Sequence, residues 1–331
     1  MSHLLLLGAG FSRNWGGWLA TEAFEYLLGC PEVIRDPSLA QLLWRYQPQG
    51  GFESALAELQ SAYSRDPRSN EPALMGLQAA IRRMFADMNG AFMEITGWEF
   101  QNHVERMVGT FLTRFDAIFT LNQDVLLEQH YVNDNIALTG KKKWAGAQLP
   151  GMNRVPAPEP LHSNSWARST WTPQREDAFK VDASFQPIFK LHGSSNWLHG
   201  NGSPMLIMGG AKAREIGQTP ILNWYANVFE ESVSAQPSKL MVIGYGFRDD
   251  HINEAIGRAV ERGLKLFVIA PEGADLARRL NPTRERGMIS AATPLEGILE
   301  RSLIGASRRP LRDIFGGDTA EYNKVMRFFD A

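Results

Sequence analysis

The opening of the chain constrains it most. Leu4 to Leu7 run without a polar break into Gly8-Ala9-Gly10-Phe11-Ser12. A continuous apolar run closed by glycine marks a strand buried on both faces, as in parallel sheets; a half-solvated strand would alternate. Gly8 and Gly10 lack Cβ atoms, so backbone N–H groups and the start of a following helix can approach a diphosphate, with Ser12 adding a hydroxyl. A plain tight turn accounts for the same glycines as well, and Arg13 stands where the dinucleotide fingerprint G-x-G-x-x-G has its third glycine.

Further strands follow the same pattern. Asp116–Leu121 runs into Asn122-Gln123-Asp124, and Pro187–Leu191 into His192-Gly193-Ser194. Lys239–Ile243 runs into Gly244-Tyr245-Gly246, and Leu264–Ile269 into Ala270-Pro271-Glu272. Between the first two strands lie about eighty residues of helical character, with Leu39, Leu42 and Leu43, then Ile81, Met84, Phe85, Met88 and Phe92, at helical spacing. Pro67 and Pro72 are expected to interrupt these helices. Helices are also expected over 219–235 and 250–262, and in the tail near 293–303 and 319–329. Residues 139–184, rich in Gly, Pro, Ser, Asn and Trp, show no period and read as a lid-like loop. The order predicts an α/β fold: a Rossmann-like open parallel sheet with right-handed crossovers and a helical insertion over about 30–115. Residues 1–275 form the expected nucleotide-binding domain, and 276–331 a helical tail.

In such sheets ligands bind outside the carboxyl ends of the strands, so the five polar clusters converge there. Asn122 and Asp124, two apart on an extended segment, project to one side. An amide beside a carboxylate can hold a ribose hydroxyl, a water and a carboxamide. Capping of the helix near Val125 competes with that role, more for Asp124 than for Asn122. His192 ends its strand where a general base is commonly placed, though a lone His before Gly also serves structure. Asp249 or Asp250 suits the cap of the next helix, with His251 and Asn253 as helix-start contacts. Glu272 suits an adenosine ribose or a solvated turn.

Composition narrows the class. The 331 residues carry 34 basic and 36 acidic side chains, a formal net charge of −2. That gives no global electrostatic drive toward nucleic acid or an anionic membrane, and leaves only a local basic patch open. Cys30 is the only cysteine, so a disulfide within the chain and a multi-cysteine zinc site are excluded. With no basic segment ahead of the leucines and no apolar run approaching the roughly 20 residues of a bilayer span, a cytoplasmic protein is expected.

In combination the motifs are more specific than any one of them. G-A-G-x-S at Gly8–Ser12, T-x-N-x-D at Thr120–Asp124, K-L-H-G-S at Lys190–Ser194 and G-Y-G-F-x-D-x-H-I-N at Gly244–Asn253 resemble the sirtuin superfamily, and more closely the bacterial sirtuin-like domains of antiphage defence. The resemblance implies an NAD+ site in which Gly8, Ala9, Gly10, Phe11 and Ser12 cradle the diphosphate. Asn122 would position the nicotinamide ribose and a water, Asp124 the carboxamide, and His192 would be the base. Thr120, Gly193 and Ser194 flank these, and Gly244, Tyr245, Gly246 and Glu272 line the adenosine half. The four-cysteine ribbon of deacetylating sirtuins cannot form, and Asn14-Trp15-Gly16-Gly17-Trp18 replaces their Pro-Asp-Phe-Arg stretch. Cleavage of NAD+ itself is therefore expected, with nicotinamide near Asp124 and the Trp15/Trp18 region and with no metal. An NAD+ or ADP-ribose sensor, an ADP-ribosyltransferase and a deacylase are the competing readings. The resemblance further implies a homo-oligomer partnered by a HerA-type ATPase, with Arg308–Phe315 either docking a subunit or forming a turn beside a core helix.

Overall fold

The computed structural model of the chain describes residues 1–48, 50–132, 144–158, 165–281 and 293–330. Its strands are β1 Ser2–Leu7, β2 Ala117–Thr120, β3 Gly146–Gln148, β4 Met152–Val155, β5 Thr170–Pro173, β6 Phe185–Lys190, β7 Gly193–Leu198, β8 Pro204–Leu206, β9 Ser238–Ile243, β10 Lys265–Ile269 and β11 Leu303–Ser307. A seven-stranded sheet runs in the order β11-β10-β9-β1-β2-β6-β3, and each neighbouring pair is parallel. Leu4 to Leu7 pair with Ala117–Thr120 on one side and with Leu240–Ile243 on the other. All four leucines are at most 2% exposed. The unbroken apolar run is thus what a central strand covered on both faces requires.

From β1 the chain steps outward to β2 and β6. It then returns to β9 on the other side of β1 and continues to β10 and β11. The order reverses between β1 and β9, and the turns that leave these two strands flank the crevice where open α/β sheets take their ligands. The turns touch backbone to backbone. Gly10 N donates to Gly244 O at 2.9 Å. A Cβ on Gly10 would lie 2.7 Å from Gly244 Cα, and one on Gly244, whose φ is +65°, would lie 2.3 Å from Gly10 C. These glycines first serve the packing of one turn on the other.

The helical insertion stands where expected, as Pro31–Ile34, Pro37–Tyr46, Gly51–Arg65, Pro67–Met93 and Val108–Leu112. The long helix buries Leu74, Leu77, Ile81, Met84, Phe85, Met88 and Phe92 along one face. Its start is set by Asp66, whose side chain accepts from Ser69 N. Pro67 takes the first helical position, where no N–H is needed, and Pro72 lies inside the helix instead of ending it.

Two expectations need correction. Residues 139–184 were expected as a lid-like loop without a period; among the described ones, β3 edges the main sheet, and β4 and β5 join β7 and β8 in a second sheet ordered β4-β5-β7-β8. Trp171 is buried there, paired with Trp197. Residues 139–143 and 159–164 lie outside the described set. The tail was expected to be helical; its helices Pro294–Ser302, Leu311–Gly316 and Thr319–Met326 are joined by β11, the outermost strand of the main sheet. β3 and β11 are short edge strands without a continuous apolar run, which is why the sequence pattern hides them. The apolar half of Arg308–Phe315 is not open to a partner either. Leu311, Ile314 and Phe315 are at most 1% exposed and belong to the core of this chain.

Candidate active site

Ser12 organises the carboxyl end of β1 and β2. Its hydroxyl donates to Asp124 Oδ2 at 2.8 Å and accepts from Asn122 Nδ2 at 3.0 Å. Asp124 Oδ1 accepts from Leu126 N, at the start of the helix Leu126–His130. The capping role of Asp124 is thus observed on one oxygen, while the other accepts from Ser12. Asn122 is further fixed by its N–H on Thr120 Oγ1 at 3.0 Å. The serine expected to touch a phosphate is only 2% exposed and locks the pair of side chains expected to hold the ribose and the carboxamide.

Behind this trio lies a buried ion pair that sequence reasoning missed. Lys190 Nζ sits 2.6 Å from Glu128 Oε1 and donates to Asp124 O at 2.5 Å. Burial pushes the Glu128 carboxyl up against the pull of Lys190. Glu128 Oε2 is buried with no hydrogen-bond partner among the described residues. A cavity of about 10 Å³ between Ser12, Thr120, Asn122, Asp124, Glu128 and Lys190 has room for a single water. Lys190 stood within a quoted motif, but no signal joined it to Glu128, 62 positions earlier.

His192 occupies the joint between the two sheets. β6 ends at Lys190 and β7 starts at Gly193, whose φ of +74° and contact with Met205 O leave no room for a Cβ. The carbonyl of His192 accepts from Gln123 Nε2 at 2.8 Å and from Ile207 N at 3.1 Å. Ser194 Oγ donates to Gln123 O at 3.3 Å. Gln123, unassigned in the sequence, thus ties the end of β2 to the end of β6. Its side chain reaches the β6–β7 joint, while those of Asn122 and Asp124 reach Ser12. His192 is 3% exposed, and burial holds its pKa down to about 3.

The turn after β9 supplies the rest. Phe247 has φ +51°, alone among the described non-glycine residues in being positive, and such a conformation stores strain. Tyr245 hydroxyl is 3.0 Å from Asn253 Oδ1, and Tyr245 packs on Phe247 at 4.8 Å between ring centroids. Gly246 has open space where a Cβ would stand, except for Arg248 at 4.0 Å. Asp249, one of the two residues expected as the helix cap, takes the N-cap position of the helix Asp250–Glu261 but makes no side-chain cap bond to it. Its Oδ1 accepts from Lys212 Nζ at 2.8 Å. Burial opposes ionisation of Asp249, yet the neighbouring cationic groups, Lys212 foremost, outweigh it and hold its pKa below the usual range. His251 Nε2 lies 3.2 Å from His192 Nε2.

The tryptophans after the first turn pack on other aromatic rings. Trp15 stacks on Trp98 at 4.3 Å and on Phe100 at 5.1 Å, and its indole N–H donates to Trp98 O. Trp18 packs on Tyr26. Asn14 stitches this region together: Nδ2 donates to Gly10 O and Phe11 O, and Oδ1 accepts from Leu311 N of the tail. Glu272 stands half-exposed in the turn after β10.

A parallel sheet of this strand order, with polar side chains at its carboxyl ends, defines a Rossmann-type fold. The profile of the SIR2-like domain family matches residues 116–287, just over half of the chain. The chain belongs to that family, whose members use NAD+. A solved structure from work on the structural basis for the mechanism and regulation of Sir2 enzymes is 16% identical, covers 91% of each chain and has a TM-score of 0.32. At that score the likeness carries no inference about the site. No curated protein matches the chain. No helix among the described residues is long and apolar enough to cross a membrane.

Proposed function

We propose that this chain is an NAD+ glycohydrolase, cleaving NAD+ to nicotinamide and ADP-ribose. The observation that carries the reading is the joint placement of Ser12, Asn122 and Asp124 at the ends of β1 and β2, beside the β6 end that bears His192. The bond from nicotinamide to the ribose has a cationic leaving group, so its departure needs no general acid, unlike ordinary glycosides. The protein must orient the ribose, stabilise an oxocarbenium-like centre and deliver water. Asn122 holds the water and the ribose hydroxyls, Asp124 the carboxamide, and His192 accepts the proton of a ribose hydroxyl or of the water. The turns Gly8–Ser12 and Gly244–Gly246, together with Thr120, Gly193, Ser194 and Glu272, bind or support the remainder of NAD+.

Unregulated cleavage would drain the producing cell. In this proposal the cytoplasmic enzyme acts in antiphage defence and is switched by assembly, as a homo-oligomer with a HerA-type ATPase as partner. The test uses the pure chain, alone and with the product of its genomic neighbour, incubated with NAD+ and assayed for nicotinamide and ADP-ribose. Asn122→Ala and His192→Ala are each expected to abolish turnover with little change in the unfolding transition. No turnover in any assembly overturns the hydrolase, and ADP-ribose transferred to protein replaces it with a transferase.

A further inference from the structure

A chain of charges reaches His192 that cleavage by Asn122 and His192 alone leaves unused. His192 closes β6, and His251 opens the helix Asp250–Glu261 after β9; their Nε2 atoms stand 3.2 Å apart. One donor atom from each of His192, Asp249 and His251 lies within 4.8 Å of the other two. Lys212 Nζ holds Asp249 Oδ1 at 2.8 Å and reaches Glu53 Oε2 at 2.5 Å. Glu53 belongs to the helix Gly51–Arg65 of the insertion. The sequence imidazole, imidazole, carboxylate, ammonium, carboxylate therefore runs from the buried strand end to the helical module.

We propose that His251, with Asp249 close beside it, is the proton relay of His192. His192 donates its Nε2–H to His251 Nε2, which leaves His192 Nδ1, engaged in no hydrogen bond among the described residues, as the accepting nitrogen. When Nδ1 takes the proton of the substrate hydroxyl or water, the Nε2 proton passes to His251. His192 stays neutral in its other tautomer, His251 becomes the imidazolium, and the positive charge settles beside Asp249. The electron pair of the broken O–H bond remains on oxygen.

The physical need is plain. A general base works best with a pKa near the working pH. Buried as it is, His192 alone sits at about 3, about three powers of ten below an ordinary imidazole in proton affinity. His251 is half-buried; burial draws it down and Lys212 adds to that, so it lies below the ordinary imidazole range although Asp249, Asp250 and Glu254 draw it up. Burial also works against the charge on Lys212, and Glu53 and Asp249 more than restore it. A second imidazole and its carboxylate thus take a charge that the buried base cannot hold, as the orienting carboxylate does in nucleophile–base–acid triads. Two imidazoles and a carboxylate also match a divalent-cation ligand set, but the Lys212 ammonium already occupies Asp249, and a shared proton satisfies the two facing nitrogens.

The relay rests on the NAD+-cleaving reading, and the experiment separates the two. In the full chain, in whichever assembly is active, His251→Gln is expected to lower kcat about tenfold to hundredfold with KM little changed. Asp249→Asn removes the carboxylate that stabilises the charged pair, so the acid limb of the rate profile moves about one unit to lower pH while the plateau falls. A His251→Gln rate within about twofold of native, or an unmoved acid limb in Asp249→Asn, overturns the relay. Imidazole nitrogen NMR needs no turnover. His192 is expected to stay neutral down to about pH 5, and its Nε2 resonance to move on His251→Gln; a His192 indifferent to that change overturns the relay. Stoichiometric Zn²⁺ binding by calorimetry, lost in His251→Gln, overturns it in favour of a metal centre. A native chain that never cleaves NAD+ overturns the hydrolase, and the NMR result then decides the relay.

Discussion

At the scale of single residues, the site is built from groups that are costly to bury. Breaking a buried pair such as Lys190–Glu128 leaves an uncompensated charge, a penalty of about 3–5 kcal/mol, so this pair binds the strand end to the helix Leu126–His130. His192 makes the stability depend on pH. Its folded pKa of about 3 lies below the ordinary value of about 6.5, so from about pH 6.5 downward the unfolded chain takes a proton that the folded chain refuses. Stability therefore falls as the pH drops through that window. The depressed His199 and His251 add the same sign, and the raised Glu128 runs the other way. Chemical unfolding at about pH 7 and about pH 5 checks this: His192→Asn is expected to lose less stability between the two than the native chain. An equal loss would mean that His192 is already charged when folded.

At the scale of elements, the crevice depends on two turns in backbone contact. Gly8, Gly10 and Gly244 suit close approach, and the structure spends that freedom on the turns themselves: a Cβ on Gly8 would lie 2.6 Å from Gly244 O. Gly244→Ala adds a side chain at φ +65° against the Gly10 backbone. Left-handed strain and overpacking together are expected to cost about 3 kcal/mol. The urea midpoint reads this directly, and an unchanged midpoint would show that the two turns can part. The polar strand ends behave in the same way. Ser12 and Asp124 were legible as site residues, but their locking to each other depends on β1 and β2 being neighbours, which local pattern does not encode.

Across the whole molecule, the helical module and the tail are parts of the site's frame. Asn89 of the long helix donates to Ser195 Oγ at 2.8 Å and accepts from Val125 N at 3.1 Å, and Glu53 reaches Lys212. The tail adds β11 to the sheet, and Phe315 and Phe328 to the core. A chain ended after Ser302 is therefore expected to lose cooperative unfolding and its near-ultraviolet circular dichroism. Retention of both would return 303–330 to the status of a separable tail.

The amino-acid sequence by itself determined the buried central strands, the helices between them, the motif at each strand end and the exclusion of a cysteine-bound zinc. Those features are local: apolar runs, helical spacing, glycine at turns and a count of one residue type. The tertiary structure alone decided that β3 and β11 close the sheet edges, that Trp15 is spent on a stack with Trp98, and that Glu128 pairs with Lys190. It also made Asp249 and His251, which do stand at a helix start, neighbours of His192. Each of these joins residues from different elements, and only the order and parallel register of the strands bring them within reach.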